Sequence, residues 1–205
     1  MYLVKTPWWL RALYPKELVW QLPATEKIIY LSFDDGPHET ATPYVLDLLK
    51  QYNAKASFFC IGKNVRKYPE IYQRIIDEGH AVGNHTEHHA NGWKVPNEKY
   101  FADIKQAAVI IHSKLFRPPY GRIRRSQIRH LMGKYKIIMW SLLSGDFDVQ
   151  LSPEACCANV IHHAKAGSVV VFHDSTKAWD RMHYALPRAL EHFRAQGYQF
   201  NVIPQ

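Results

Sequence analysis

Two rhythms of apolar residues alternate along this chain. The first is a compact run of β-branched and aromatic side chains, such as Lys27-Ile28-Ile29-Tyr30-Leu31-Ser32-Phe33, cut off by Asp34-Asp35-Gly36-Pro37. Runs of this kind read as strands closed by turn residues. The second spaces apolar residues three and four apart, as Val45, Leu46, Leu48 and Leu49 do within 42–51, the period of a helix with one buried face. The alternation predicts strands over 27–33, 56–61, 80–84, 115–116, 136–142, 168–172 and 199–203. Between them it predicts helices over 42–51, 69–78, 98–114, 124–133, 153–166 and 184–196. Pro69 with Gly79, and Pro153 with Gly167, frame two of these helices, proline at the entry and glycine past the end.

Strands joined through helices run parallel, because a parallel neighbour is reached only by a long crossover. These strands are apolar nearly throughout rather than alternating, so both of their faces are covered. An α/β barrel or a doubly wound sheet follows, in one domain. In either architecture the residues that follow the C-terminal ends of the strands converge on one mouth.

Those ends are polar. Asp34 and Asp35 close the first strand, and His85-Thr86-Glu87-His88-His89 follows the third. Arg117-Pro118-Pro119-Tyr120-Gly121 follows the fourth, Ser144-Gly145-Asp146-Phe147-Asp148 the fifth, and His173-Asp174 the sixth. Histidines four apart on one helical turn can share a metal ion, and one carboxylate would complete a His-His-Asp set with coordination positions left open. An ion so held lowers the pKa of its water to about 7 and polarises a carbonyl. A second carboxylate could take the proton of that water, and a histidine from another strand could protonate a leaving amine. These are the parts of amide hydrolysis. Singly, each cluster has an ordinary explanation as a turn, a helix cap or a core histidine. Their coincidence at successive strand ends points to chemistry.

Composition narrows the picture. The 205 residues carry 26 Lys plus Arg against 18 Asp plus Glu, a formal charge of +8. That balance favours anionic partners, although no nucleic-acid motif and no block of like charge is present. Cys60, Cys156 and Cys157 are odd in number and two are adjacent, a poor disulfide framework. No secretory signal is legible at the N-terminus and no apolar stretch is long enough to span a bilayer. The expected location is therefore cytoplasmic, or peripheral to the inner face of the membrane. Residues 1–25 form a distinct aromatic and basic segment, with Trp8, Trp9 and Trp20 among Lys5, Arg11 and Lys16. It reads either as a helix capping the foot of the barrel or, through residues 1–22, as a peripheral membrane contact.

The five clusters, in this order, resemble the polysaccharide deacetylases, the NodB-homology domain of carbohydrate esterase family four. Ser32-Phe33-Asp34-Asp35-Gly36 is similar to the family's Thr-Phe-Asp-Asp-Gly, and His85 through His89 to its His-[Ser/Thr]-x-x-His. Arg117-Pro118-Pro119-Tyr120-Gly121 matches the third motif, and Val171-Phe172-His173 resembles the fifth, Leu-x-His. The similarity runs from about Glu26 to Ile203, which makes 26–205 the catalytic domain. The resemblance implies a distorted (β/α) barrel of about seven parallel strands. It also implies that Asp35, His85 and His89 bind one divalent metal ion, zinc first, with cobalt, manganese or nickel as alternatives. Asp34 would be the general base and His173 the general acid. The backbone N–H of Tyr120 would help hold the oxyanion, Arg117 would fix Asp34, and Asp146 would orient His173 and raise its pKa. His88 would point elsewhere. The fourth motif departs: where the family often has Asp-x-x-Asp-Trp, this chain reads Leu143-Ser144-Gly145-Asp146-Phe147, which alters the groove wall. Trp140 is a candidate platform or core residue, and Asp148 an additional carboxylate nearby.

The implied activity is removal of N-acetyl groups from N-acetylglucosamine-type residues of a poly- or oligosaccharide, the partner being an N-acetylated glycan. One alternative is deacetylation or deformylation of a lipid-linked or nucleotide-linked amino sugar. An alternative of another class is an inactive sugar-binding module, which would have lost a ligand or the base. Oligomeric state is not legible.

Overall fold

The computed structural model describes residues 2–205; Met1, the first residue of the aromatic segment, lies outside them. β1 (Ile28–Asp34) is the central strand. β7 (Val169–His173) runs parallel on one side of it, with Ser32 level with Val171 and Asp34 level with His173. β2 (Ser57–Cys60) runs parallel on the other side, with Asp34 level with Phe59. β3 (Ala81–Asn84), β4 (Leu115–Phe116) and β5 (Lys136–Ile137) continue beyond β2, and β6 (Leu142–Leu143) lies beyond β7. The order is β5-β4-β3-β2-β1-β7-β6, with β8 (Gln199–Phe200) off this path beside Ile28 and Ile29. Phe33, Phe58 and Phe172 stack between neighbouring strands, their centroids 5.1 and 6.0 Å apart, as expected of strands apolar on both faces.

The strand predicted over 136–142 is one extended run that changes partner. Its first part pairs with β4, where the Ile138 N–H donates to Phe116 O at 2.8 Å. Its last part pairs with β7, where the Ser141 N–H donates to Val169 O at 3.1 Å. β5 and β6 are thus halves of one run serving both edges of the sheet, which curls it into the expected distorted α/β barrel. The bend leaves no trace in the apolar pattern, because the run is flanked on both faces throughout. The N-terminal segment lines this seam: Lys5 pairs with Leu142, Val19 with Ile138 and Gln21 with Ser168. Leu18, Trp20 and Leu22 are buried at the strand period, whereas α1 (Trp8–Ala12) buries none of its residues. The helix expected at the foot of the barrel is therefore a five-residue piece on its outside.

The crossovers hold α2 (Ala41–Gln51), α3 (Gly62–Lys67), α4 (Pro69–Asp77), α5 (Asn97–Ala108), α6 (Arg125–Leu131), α7 (Pro153–His163) and α8 (Trp179–Ala195). α3 was not predicted, since Val65 is its one large apolar residue. α5 ends at Ala108, short of the predicted 114: Ile111 prolongs the apolar pattern but is buried outside any helix. α8 starts at Trp179 rather than 184, because Arg181, charged in sequence, is buried in its first turns and masks the period.

Candidate active site

Strand register sets the frame: Asp34, the last residue of β1, lies level with His173 at the end of β7. Asp34 is buried and its Oδ1 accepts from Arg117 Nη1 at 2.6 Å. Arg117 itself has no exposure, which is tolerable only because its donors are used. Nη1 also reaches Ser32 Oγ at 2.8 Å, while Nε and Nη2 donate to the carbonyls of Ile138 and Met139 at 3.2 and 3.1 Å. Its guanidinium lies 4.0 Å from the centroid of the Phe59 ring. The change of partner in the 136–143 run is what exposes those two carbonyls to it.

Asp35 turns the other way. Its Oδ1 is 3.1 Å from His89 Nε2 and 3.7 Å from His85 Nε2, and one ligand atom from each of the three residues lies within 4.8 Å of the others. His85 Nδ1 is 2.7 Å from the Arg117 carbonyl, which can only accept. Nδ1 therefore carries the hydrogen and Nε2 presents its lone pair. Burial pushes His85 down to about 4 and also lowers His89, so both imidazoles are neutral at pH 7. Burial works to raise Asp35, but the surrounding basic groups, the charged His173 first and Lys177 with it, bring it below the ordinary carboxylate value. Its buried Oδ1 has no hydrogen-bond partner among the described residues. An orphaned carboxylate oxygen beside the Nε2 lone pair of His85 and the neutral ring of His89 fits a divalent cation.

Strained backbone holds this cluster of side chains. Among the described non-glycine residues five have positive φ, and four of them are Asp35 (80°), Thr86 (64°), His89 (57°) and Tyr120 (59°). The predicted helical turn for His85 and His89 is thus absent. Left-handed Thr86 and His89 break any helix, and an irregular loop brings the two rings to a centroid separation of 5.0 Å. Tyr120 Oη lies 3.1 Å from His89 Nδ1, and the Tyr120 N–H has no protein acceptor among the described residues. His88 points away to Asp103, 2.7 Å distant.

On the facing side, His173 Nδ1 is 2.8 Å from Asp146 Oδ1, and the His173 N–H donates to Asp146 Oδ2 at 2.6 Å. Burial opposes a charged imidazole here. The charge and hydrogen bond of Asp146, joined by Asp35 and Asp34, outweigh it and push His173 up to about 10. Asp146 is fully buried, and its carbonyl accepts from Arg181 Nε at 2.7 Å. Phe147 meets the His173 ring edge-on at 5.3 Å and is backed by Tyr2 at 4.8 Å. Leu143 is buried, so Phe147 is the departure from the family's fourth motif that reaches the imidazole. Trp140 is half-buried beneath Gly121, where an added Cβ would meet its ring at 2.6 Å. Asp148 accepts from the Gln150 N–H within its own loop.

The structure therefore brings Asp34, Asp35, His85, His89, Arg117, Tyr120, Asp146 and His173 to one mouth. It adds residues that sequence reasoning had left without a role. Asp174 accepts from the Gly36 N–H at 3.1 Å and from Thr42 Oγ1, tying down the turn after Asp35, and burial pushes it up to about 8. Its place beside His173 was the available signal. Ser32 stands where the family's motif has Thr, and its hydroxyl accepts from Arg117 and donates to Val170 O. Arg181 and Tyr2 carried no signal, being remote in sequence from what they support.

The family model for polysaccharide deacetylase matches residues 21–137. A peptidoglycan-N-acetylglucosamine deacetylase of Bacillus cereus is 34% identical over 195 residues, 92% of each chain. A chitooligosaccharide deacetylase of Azorhizobium caulinodans is 31% identical over 163 residues, 75% of this chain and 77% of its own. Among solved structures, a peptidoglycan N-acetylglucosamine deacetylase in complex with 4-naphthalen-1-yl-N-oxidanyl-benzamide superposes with a TM-score of 0.88 at 32% identity, covering 97% of this chain and 95% of that one. Fold, site and sequence agree: this chain belongs to the polysaccharide deacetylase family.

Proposed function

We propose that this protein is a metal-dependent N-deacetylase acting on N-acetylglucosamine residues of a glycan. One observation carries the reading. Asp34, pinned by Arg117, stands next to the Asp35–His85–His89 set and level with His173, which Asp146 holds. A divalent ion on Asp35, His85 and His89 would supply a Lewis acid for the acyl oxygen and a water of lowered pKa. Zinc suits two imidazoles and a carboxylate best, with cobalt, manganese and nickel as competitors.

This chain's own groups do the rest. Arg117 occupies Asp34 Oδ1, so Oδ2 accepts the proton of the attacking water. The free N–H of Tyr120 donates to the oxyanion. His173, charged at neutral pH and held through Nδ1, gives its Nε2 proton to the departing amine. Phe147, set against His173, shields that transfer from bulk water. An inactive sugar-binding module would lack the base or a ligand, and each of these residues is in place. The names of the relatives support peptidoglycan or chito-oligosaccharide as the substrate class.

The test is acetate release from acetylated chito-oligosaccharides and peptidoglycan fragments by the metal-loaded protein. Asp34→Asn should lose about 10²–10⁴-fold in kcat while keeping its metal. Equal acetate release by the two proteins would overturn the reading.

A further inference from the structure

Nine large apolar side chains are exposed among the described residues, and four of them, Leu3, Trp8, Trp9 and Leu13, lie within the first thirteen positions. Trp8 is 80% exposed, Trp9 51% and Leu13 58%. Water-facing indoles at this density mark an interaction surface.

Their support is fixed. The strand pairings of Lys5, Val19 and Gln21 pin the segment to the barrel seam on both sides of α1. Arg11 Nη1 donates to Gln21 Oε1 at 2.7 Å. Arg125 Nη2 donates to Leu13 O at 3.1 Å and so ties the end of α1 to α6. The indoles project from a scaffold that is already ordered.

Charge selects the occupant. Lys5 and Lys16 are exposed on the segment itself, and Arg125 touches Leu13. Arg129, also exposed, is one turn further along α6 on the same face. Against these cations residues 2–25 hold one carboxylate, Glu17. Tryptophan suits the boundary between headgroups and acyl chains, and surrounding lysine and arginine favour anionic lipid.

We propose that this face docks the barrel on an anionic phospholipid surface, with Trp8, Trp9 and Leu13 inserted and Lys5, Lys16, Arg125 and Arg129 on the headgroups. The contact is peripheral: no helix of the described residues is long and apolar enough to cross a membrane. Tyr2, at the start of the same segment, backs Phe147 at the mouth. The docking stands on the surface itself and is independent of the deacetylase reading.

The experiment is sedimentation of the full chain with phosphatidylcholine vesicles and with vesicles containing phosphatidylglycerol. Binding to the anionic vesicles alone is expected, weakening as salt rises. Trp8→Ala/Trp9→Ala and Arg125→Gln/Arg129→Gln should each bind about tenfold or more weakly, each lost cation counting for roughly fivefold. Unchanged circular dichroism and thermal midpoint would show that both variants are folded. Absence of binding to anionic vesicles, or equal binding by the folded variants, would overturn the proposal. So would failure to bind together with concentration-dependent dimers in sedimentation velocity that the tryptophan variant abolishes, which would assign the face to a second copy.

Discussion

Asp34 and Asp35 are consecutive carboxylates with different neighbours, a guanidinium for one and two imidazoles for the other. Positive φ at Asp35 sends its side chain to two imidazoles, while Asp34, still in the strand, faces a buried guanidinium. The same logic governs His173, which Asp146 holds as a cation against the cost of burial. Replacing Asp146 with Asn removes that charge, so the pKa of His173 falls and the alkaline limb of kcat/KM moves to lower pH. A pH–rate profile checks this, with kcat reduced about 10²–10⁴-fold. The stability linkage has the same sign. A folded pKa near 10 against 6.5 for the free imidazole gives stabilisation that is complete below pH 6.5 and lost as pH rises through about 10. The residue types at all these positions were legible in the sequence. Their orientations were not, because a rotamer depends on neighbours supplied by other strands.

Parallel pairing of β1 with β7 and β2 puts Asp34, His173 and Phe59 on one level, so the site depends on how the sheet packs. Gly83 of β3 shows how closely. A Cβ there would come 2.5 Å from Phe59 Cδ1, on the ring that carries the Arg117 guanidinium. Gly83→Ala should cost about 1–3 kcal/mol, read by urea denaturation. It should also slow acetate release from folded protein, because displacing Phe59 moves Arg117 and with it Asp34. Seven strands were legible as apolar runs. The split of the fifth, the start of α8 at Trp179 and the existence of α3 were not. Each is decided by contacts that leave the local period unchanged or hide it, as buried Arg181 does.

Across the whole molecule, the candidate metal ligands from the ends of β1 and β3 meet in one set, so an ion bound there would tie together segments distant in sequence. Such an ion stabilises the folded state alone, by about 2.7 kcal/mol at a hundredfold excess over Kd. For a chain of this size that is roughly 5–10 °C in Tm. Chelation should lower the melting point by that amount, and metal should restore both it and activity, whereas Asp35→Asn should melt low with or without added metal. By itself the sequence determined the alternation of strand and helix, the parallel α/β class and the chemical identity of each cluster. These follow from residue type and local period, which need no partner to be read. Only the tertiary structure decided the joining of both sheet edges by the run 136–143, the left-handed loop that unites His85 and His89, and the approach of Arg125 to the end of α1. Those depend on segments far apart in sequence that come together only when the barrel closes and burial offsets their strain.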